Sequence, residues 1–114
     1  MDIEHQAYGE AVVITVNESR IDAAIAIQFK DKIRELTSSG PDRVVLDLKE
    51  VSFLDSSGLG ALVASMKQLG PNRSLELAGL TPAVKKVFRL TRMDSVFTVH
   101  SEAKDAIANL CNGA

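Results

Sequence analysis

The chain of 114 residues contains one cysteine and no tryptophan, and it lacks any long apolar run. A lone cysteine, Cys111, cannot form an internal disulfide bond, which favours a reducing compartment. No stretch approaches the roughly 18 consecutive apolar residues of a membrane span. The acidic N-terminal segment MDIEHQAYGE has neither the basic nor the apolar part of a secretory signal. These absences predict a cytoplasmic protein with no membrane partner.

Positive charge and aromatic rings are also scarce. The net charge is −2, and one tyrosine and four phenylalanines are the only aromatic residues. These rings offer no stacking platform for single-stranded nucleic acid. No set of His, Cys and carboxylate residues has metal-ligand spacing. The one basic face, which is more often only solvated, does not make nucleic acid an expected partner. It consists of Lys85, Lys86, Arg89 and Arg92.

The chain does contain enough apolar residues for one core, and its length fits a single domain over residues 1–114. Two strands are predicted at residues 2–7 and 11–16, joined by a hairpin turn. A helix with Asp22 as its N-cap and Gly40 at its C-terminal cap should follow. Its apolar stripe is Ile25, Phe29, Ile33 and Leu36.

Strands and helices then alternate. RVVLDLKEV is typical of a central strand buried on both faces, and the helix after it should end at Gly70. SLELAGL alternates as a strand does, and the next helix has Thr81 as its cap and Pro82 at its first position. A short strand is predicted around Val96, Phe97 and Val99, and a last helix, capped by Ser101, runs through Ala103, Ile107 and Leu110.

This order, β-β-α-β-α-β-α-β-α, predicts an α/β fold in which a small mixed β-sheet carries about four helices. The junction before the second helix is unusual, because it reads Asp-Ser-Ser-Gly-Leu-Gly over residues 55–60. A helix needs only one N-cap, from Asp55 or Ser56, which contributes roughly 1 kcal/mol. Glycines in the first turn cost about 1 kcal/mol each. We therefore expect them to let another surface approach the backbone closely.

A phosphorylation switch would account for the extra hydroxyls. A phosphoserine carries about −1.5 to −2 charges, which the positive end of a helix dipole and its free N–H groups tolerate. Asp55, one residue away from Ser56, opposes the new charge. The main effect should therefore fall on a partner that covers the patch. A loss of about 2 to 3 kcal/mol at such an interface weakens binding roughly 30- to 150-fold.

The enzymatic alternative is a small hydrolase that uses Ser56 as its nucleophile. The Gly-x-Ser-x-Gly elbow is absent, since Leu54 stands two residues before Ser56. No lysine follows a glycine at the spacing of a phosphate-binding loop. His5 and His100 lie near the two ends of the chain, and nothing in the sequence pairs either with Ser56. We therefore expect a regulatory protein rather than an enzyme, with no cofactor.

The segment LDLKEVSFLDSSGLGALVASMKQL resembles the signature of the STAS-domain anti-sigma-factor antagonists of bacteria. The similarity extends over nearly the whole chain, through SRIDAAIAIQFKDKI and LAGLTPAVKKVFRLTRMDSVFTVHSEAKDAI. It implies a STAS-type fold with helices mainly on one side of the sheet. It also implies partner switching, in which the unmodified protein binds an anti-sigma factor and frees the sigma factor. That anti-sigma factor is a serine kinase with a histidine-kinase-like ATPase fold, and a PP2C-type phosphatase reverses its reaction.

The resemblance also assigns site residues. The phosphoacceptor of the family falls on Ser56, directly after Asp55, and Ser57 is the second small polar position. Asp22 matches an aspartate that lies beside the phosphoacceptor. The start of the second helix, part of the kinase-facing surface, corresponds to Gly58, Leu59 and Gly60.

One loop departs from the family pattern. Relatives often read Gly-x-Leu-Asp where this chain has Ser19, Arg20, Ile21 and Asp22. The loop should be stiffer without the glycine, and Arg20 adds a positive charge that bears on partner choice. Some relatives control secretion or other non-sigma outputs by the same switch. A further alternative is a STAS accessory subunit that docks onto a transporter without phosphorylation. Family members are often monomeric when free, and we expect a monomer here.

Overall fold

The computed structural model describes the backbone of residues 1–112 and the side chains of residues 1–108. Five strands form the main sheet and two very short strands form a second one. The strands are β1 (Ile3–Tyr8), β2 (Ala11–Val16), β3 (Arg20–Ile21), β4 (Arg43–Asp47), β5 (Phe53–Leu54), β6 (Ser74–Ala78) and β7 (Thr98–His100). The helices are α1 (Ala26–Leu36), α2 (Ser56–Leu69), α3 (Pro82–Leu90) and α4 (Ala103–Asn112), with a 3₁₀ turn at Met93–Ser95.

The main sheet is mixed, in the order β1-β2-β4-β6-β7. The hairpin strands β1 and β2 are antiparallel, while β2, β4, β6 and β7 run parallel to one another. Helices α1, α2 and α3 lie within the crossover connections between the parallel strands. Neighbouring parallel strands need such long connections, which are usually helical. The predicted mixed sheet with four helices is therefore confirmed.

The sheet separates a large core from a small one. The large core packs alternate residues of the central strands, such as Ile14 and Leu46, against Phe29 of α1, Leu62 of α2 and Phe88 of α3. The small core lies on the other face, where α4 packs on alternate strand residues. It consists of Val13, Val45, Ala78 and Ala106. Three helices thus share one side, and β4 is buried on both faces as its apolar sequence predicts.

The predicted caps of α1 are wrong. The helix begins at Ala26, because the Asp22 carboxylate accepts a hydrogen bond from the Ala24 N–H (3.0 Å) and closes a local turn. It ends at Leu36, where the hydroxyl of Thr37 donates to the Ile33 carbonyl (2.6 Å). Gly40 has a φ of +106° in the connection beyond the helix.

The last strand and the last helix also differ in detail. Strand β7 begins at Thr98, because the N–H of Phe97 still bonds to the Met93 carbonyl and its ring packs on Phe88 (centroids 5.9 Å apart). Helix α4 begins at Ala103, two residues after Ser101. The prediction that Ser101 caps this helix is therefore wrong. Leu110 lies outside the residues whose side chains are described.

Helices α2 and α3 begin where the sequence predicts. Asp55 is the N-cap of α2, and Gly70, with φ +85°, ends it. Thr81 stands at the N-cap position of α3 with Pro82 directly after it. The Thr81 hydroxyl does not cap the helix, because it donates instead to the Val51 carbonyl (2.7 Å).

Candidate functional site

The short strand pair β3–β5 brings the two predicted acidic residues to one edge of the molecule. The strands are parallel, with Ile21 opposite Leu54. Asp22 and Asp55 each follow directly, so both leave their strands at the same end. Strands of two residues carry no readable alternation, and this pairing was therefore not predictable from the sequence pattern.

Asp55 uses both carboxylate oxygens within the fold. Oδ1 accepts a hydrogen bond from the N–H of Gly58 (2.8 Å) and so caps α2. Oδ2 accepts from the N–H of Ala23 (3.2 Å), in the loop after β3. The aspartate therefore fixes the loop before α1 to the start of α2, and the polarity of this position is explained by structure alone.

Asp22 is likewise engaged by its neighbours. Its Oδ2 accepts a hydrogen bond from Nε of Arg20 (2.9 Å), and the Arg20 guanidinium lies 4.6 Å from the centroid of the Phe53 ring. Arg20 and Phe53 are both exposed. The predicted positive charge is thus present at this edge, but it is paired with Asp22 and stacked on an aromatic ring.

The two glycines of the motif have different roles. A Cβ at Gly58 would collide with the Ile21 carbonyl oxygen and would lie 2.7 Å from a methyl group of Leu54. The surface that approaches Gly58 is therefore the chain's own strand β3, not a partner. A Cβ at Gly60 would meet nothing within 4 Å, and this residue is exposed. Only Gly60 leaves room on the outer surface.

Ser56 and Ser57 are the first two residues of α2, and both are exposed. Their backbone N–H groups have no acceptor inside the helix, since the first donors of any α-helix lack one. In the described part of the chain, neither hydroxyl is held by a hydrogen bond. An anion attached to either serine would lie beside the positive end of the helix dipole.

Two shallow grooves flank α2, and each serine borders a different one. The groove that we call the Met93 groove, about 430 Å³, is lined by Ser56, Leu59, Val63, Lys67 and Met93. The α1–α2 groove, about 370 Å³, is lined by Ser57, Ala23, Ile27 and Lys30. Gly60 and Ala64 border both and form the crest between them.

The histidines lie away from this edge. His5 is an exposed residue of the outer strand β1. Nε2 of His100 is 2.7 Å from Glu76 Oε1, at the face of the sheet that α4 covers. A serine–histidine pair is therefore not formed by the described residues.

The buried ionic group around Glu76 has no counterpart in the motifs or periodicity of the sequence. Arg43 donates two hydrogen bonds of 2.7 Å to its carboxylate and a third of 2.9 Å to the Ala106 carbonyl of α4. The Arg43 guanidinium, together with His100 and Ser74, lowers the pKa of Glu76 to about 2, although burial opposes this. This group fixes α4 to the sheet and belongs to the fold rather than to the site.

No helix within residues 1–112 is long and apolar enough to cross a membrane. The same residues contain no cluster of three or more side chains arranged to hold a metal ion.

Known proteins share both the sequence pattern and the fold. The STAS domain family model matches residues 2–106, and the chain therefore belongs to the STAS domain family. The anti-sigma-F factor antagonist RsfB of Mycobacterium tuberculosis is 27% identical over 93 residues, which cover 82% of this chain and 76% of that protein. The family that the sequence resemblance implies is thus confirmed.

Solved structures agree. An anti-sigma factor antagonist from Mycobacterium paratuberculosis superposes with a TM-score of 0.84 at 26% identity, covering 96% of this chain and 92% of that one. The Bacillus antagonist SpoIIAA matches in its unphosphorylated form with a TM-score of 0.76 at 22% identity, covering 99% and 98% of the two chains. Its phosphorylated form matches with a TM-score of 0.69 at 21% identity, covering 96% and 99%. At these identities SpoIIAA shows the fold alone.

Proposed function

We propose that this protein is an anti-sigma factor antagonist whose binding is switched by phosphorylation of Ser56. In this proposal the unmodified protein binds an anti-sigma factor in the cytoplasm and so frees its target. The anti-sigma factor is itself a serine kinase with a histidine-kinase-like ATPase fold, and it transfers the γ-phosphoryl group of ATP to the Ser56 hydroxyl. A PP2C-type phosphatase removes the phosphate.

The observation that best supports the proposal is the free hydroxyl of Ser56 at the start of α2. The nearby carboxylates of Asp55 and Asp22 are already bonded within the fold. Asp55 accounts for the N-cap, and Asp22 is paired with Arg20. The two serines are thus the polar groups of the motif that the fold does not need. A phosphate at Ser56 would meet the free N–H groups of α2, so the domain can stay folded.

The effect of the phosphate is expected at the surface. Ser56 borders the Met93 groove, and Gly60 leaves the crest of α2 open to a partner's side chains. A dianion at the end of a largely apolar groove would both obstruct a partner and oppose its desolvation. We therefore expect that the phosphate and the partner cannot occupy this surface together. A transporter subunit with a permanent interface has no use for an unbonded hydroxyl there.

The assignment of Ser56 is tested by phosphorylating the protein with its cognate kinase and ATP, then mapping the phosphate by mass spectrometry. We expect one phosphate, on Ser56. Because Ser57 borders the other groove, Ser57→Ala is the matched control and should be phosphorylated like the wild type, whereas Ser56→Ala should not be phosphorylated. Phosphate on Ser57, or none on either serine, would contradict the assignment.

A further inference from the structure

Arg92 occupies a backbone conformation that normally selects glycine. It follows the last turn of α3 with φ +61° and ψ +22°, and no other non-glycine residue in the described part of the chain has a positive φ. Its N–H donates to the Arg89 carbonyl (3.2 Å), a bond that glycine would make equally well. The arginine side chain is exposed, and it forms no ion pair with a described residue. The fold therefore does not explain why arginine stands here.

The position of Arg92 connects it to the candidate site. Met93, the next residue, lines the groove that begins at Ser56. Lys67 lines the same groove about 16 Å further along α2, at the helical rise per residue. Lys67 is exposed and, like Arg92, has no ion-pair partner among the described side chains. The largely apolar groove that starts at Ser56 is thus lined by one unpaired cation, Lys67, and by Met93, whose chain neighbour Arg92 is a second one.

The segment of residues 77–93, which ends at Met93 of this groove, carries only positive charges although the whole chain is acidic. No aspartate or glutamate occurs between Glu76 and Asp94, an interval that contains four of the 13 lysines and arginines. All four side chains are exposed, and within residues 1–108 none of them is ion-paired. They are Lys85, Lys86, Arg89 and Arg92. Such a surface complements a negatively charged partner.

We propose that the Met93 groove is the part of the interface that recognises the partner kinase, and that the kinase places acidic side chains against Lys67 and Arg92 and an apolar side chain between them. This inference rests on the proposed function. It also explains how the switch would act, because a phosphate on Ser56 would add negative charge to the end of a groove whose occupant is itself acidic. The α1–α2 groove, which Ser56 does not border, is then not a determinant of affinity.

The test measures the affinity of the kinase, loaded with ADP, for four forms of the protein by calorimetric titration at two salt concentrations. Arg92→Gly suits the local backbone and should raise the urea midpoint while weakening binding by about 3- to 10-fold. Lys67→Glu should weaken binding by about 10-fold or more. Lys30→Glu makes the same charge change in the α1–α2 groove and should bind within about 2-fold of the wild type. Added salt should weaken the wild type more than Arg92→Gly.

Wild-type affinity in both Arg92→Gly and Lys67→Glu would overturn the assignment of the Met93 groove. An equal loss in Lys30→Glu would overturn it as well, because the effect would then come from net charge. These outcomes leave the proposed function standing, provided that the wild type binds the kinase and is released by phosphorylation of Ser56. Absence of binding by the wild type would instead contradict the proposed function and the inference together.

Discussion

Gly58 and Gly60 lie two residues apart in the first turns of α2, yet they face different surroundings. Gly58 is buried against the Ile21 carbonyl of β3, whereas Gly60 faces open space. The two glycines cannot be distinguished from the sequence, because a glycine in a helix does not show which surface approaches its backbone. Only the β3–β5 pairing separates them, and it assigns Gly58 to the fold and Gly60 to the outer surface.

Alanine substitutions should therefore have opposite effects on stability. Gly58→Ala forces a methyl group into backbone and should lower the free energy of unfolding by about 1 to 3 kcal/mol or more. Gly60→Ala meets no atom and replaces glycine in a helix, so it should raise that free energy by up to about 1 kcal/mol. Urea denaturation of the two variants checks this. Equal destabilisation of both would show that the two sites do not differ as described.

Asp55 changes the interpretation of the polar triplet. In the sequence, either Asp55 or Ser56 could cap the helix, and the phosphoacceptor is chosen by resemblance. The structure gives the cap to Asp55 through its bond to Gly58, and it gives the aspartate a second bond to Ala23. The hydroxyls of Ser56 and Ser57 are then the polar groups of the motif that the fold does not use. Each serine borders a different groove.

At the scale of elements, the sequence predicts what periodicity and caps can encode. The hairpin, β4, α2 with its caps, and the start of α3 all follow from apolar spacing and from residues such as Gly70 and Pro82. The start of α1 does not, because the Asp22 carboxylate closes a turn instead of capping the helix. The pair β3–β5 is missed since its strands have two residues each. The capping rules therefore failed beside the candidate site.

Helix α4 is held to the sheet by an ionic group that no sequence pattern predicts. Arg43, Glu76 and His100 are distant in sequence and meet only because β4, β6 and β7 are neighbours. Arg43 joins this group to the Ala106 carbonyl of α4. Two of its bonds go to the Glu76 carboxylate, so the helix and the charged pair should respond to acid together.

Acid should remove the stabilisation by ionised Glu76 over a defined pH range. The pKa of Glu76 is about 2 in the folded protein against an ordinary value of 4.5, so its ionised form favours the folded state. That stabilisation is complete above about pH 4.5 and is lost as the pH falls toward 2; the full shift corresponds to about 3 kcal/mol. Glu76→Gln should lower the free energy of unfolding by about 2 to 3 kcal/mol at pH 7 and flatten its acid dependence.

The matched control is Glu35→Gln, which removes a carboxylate from an exposed pair with Lys32 at 4.0 Å. Exposed pairs contribute little, so a change within about 0.5 kcal/mol is expected. Urea titrations between pH 2 and 7 measure both variants. If Glu76→Gln kept the wild-type slope against pH, Glu76 would not be the group responsible.

At the scale of the whole molecule, fold and site occupy different places. The Glu76 group and α4 lie on one face of the sheet, while α2 and its two grooves belong to the opposite layer. The site is a surface built on a capped helix end, with its carboxylates already bonded. A charge added at Ser56 should therefore change what the surface binds and leave the packing of the core intact.

The central claim is that phosphorylation of Ser56 alone releases the partner. The most direct measurement is the dissociation constant of the ADP-loaded cognate kinase for the unmodified protein and for the same protein phosphorylated only on Ser56, with circular dichroism confirming that both are folded. A loss of about 2 to 3 kcal/mol of interface energy predicts binding that is roughly 30- to 150-fold weaker after phosphorylation. Equal dissociation constants for two folded forms would contradict the account.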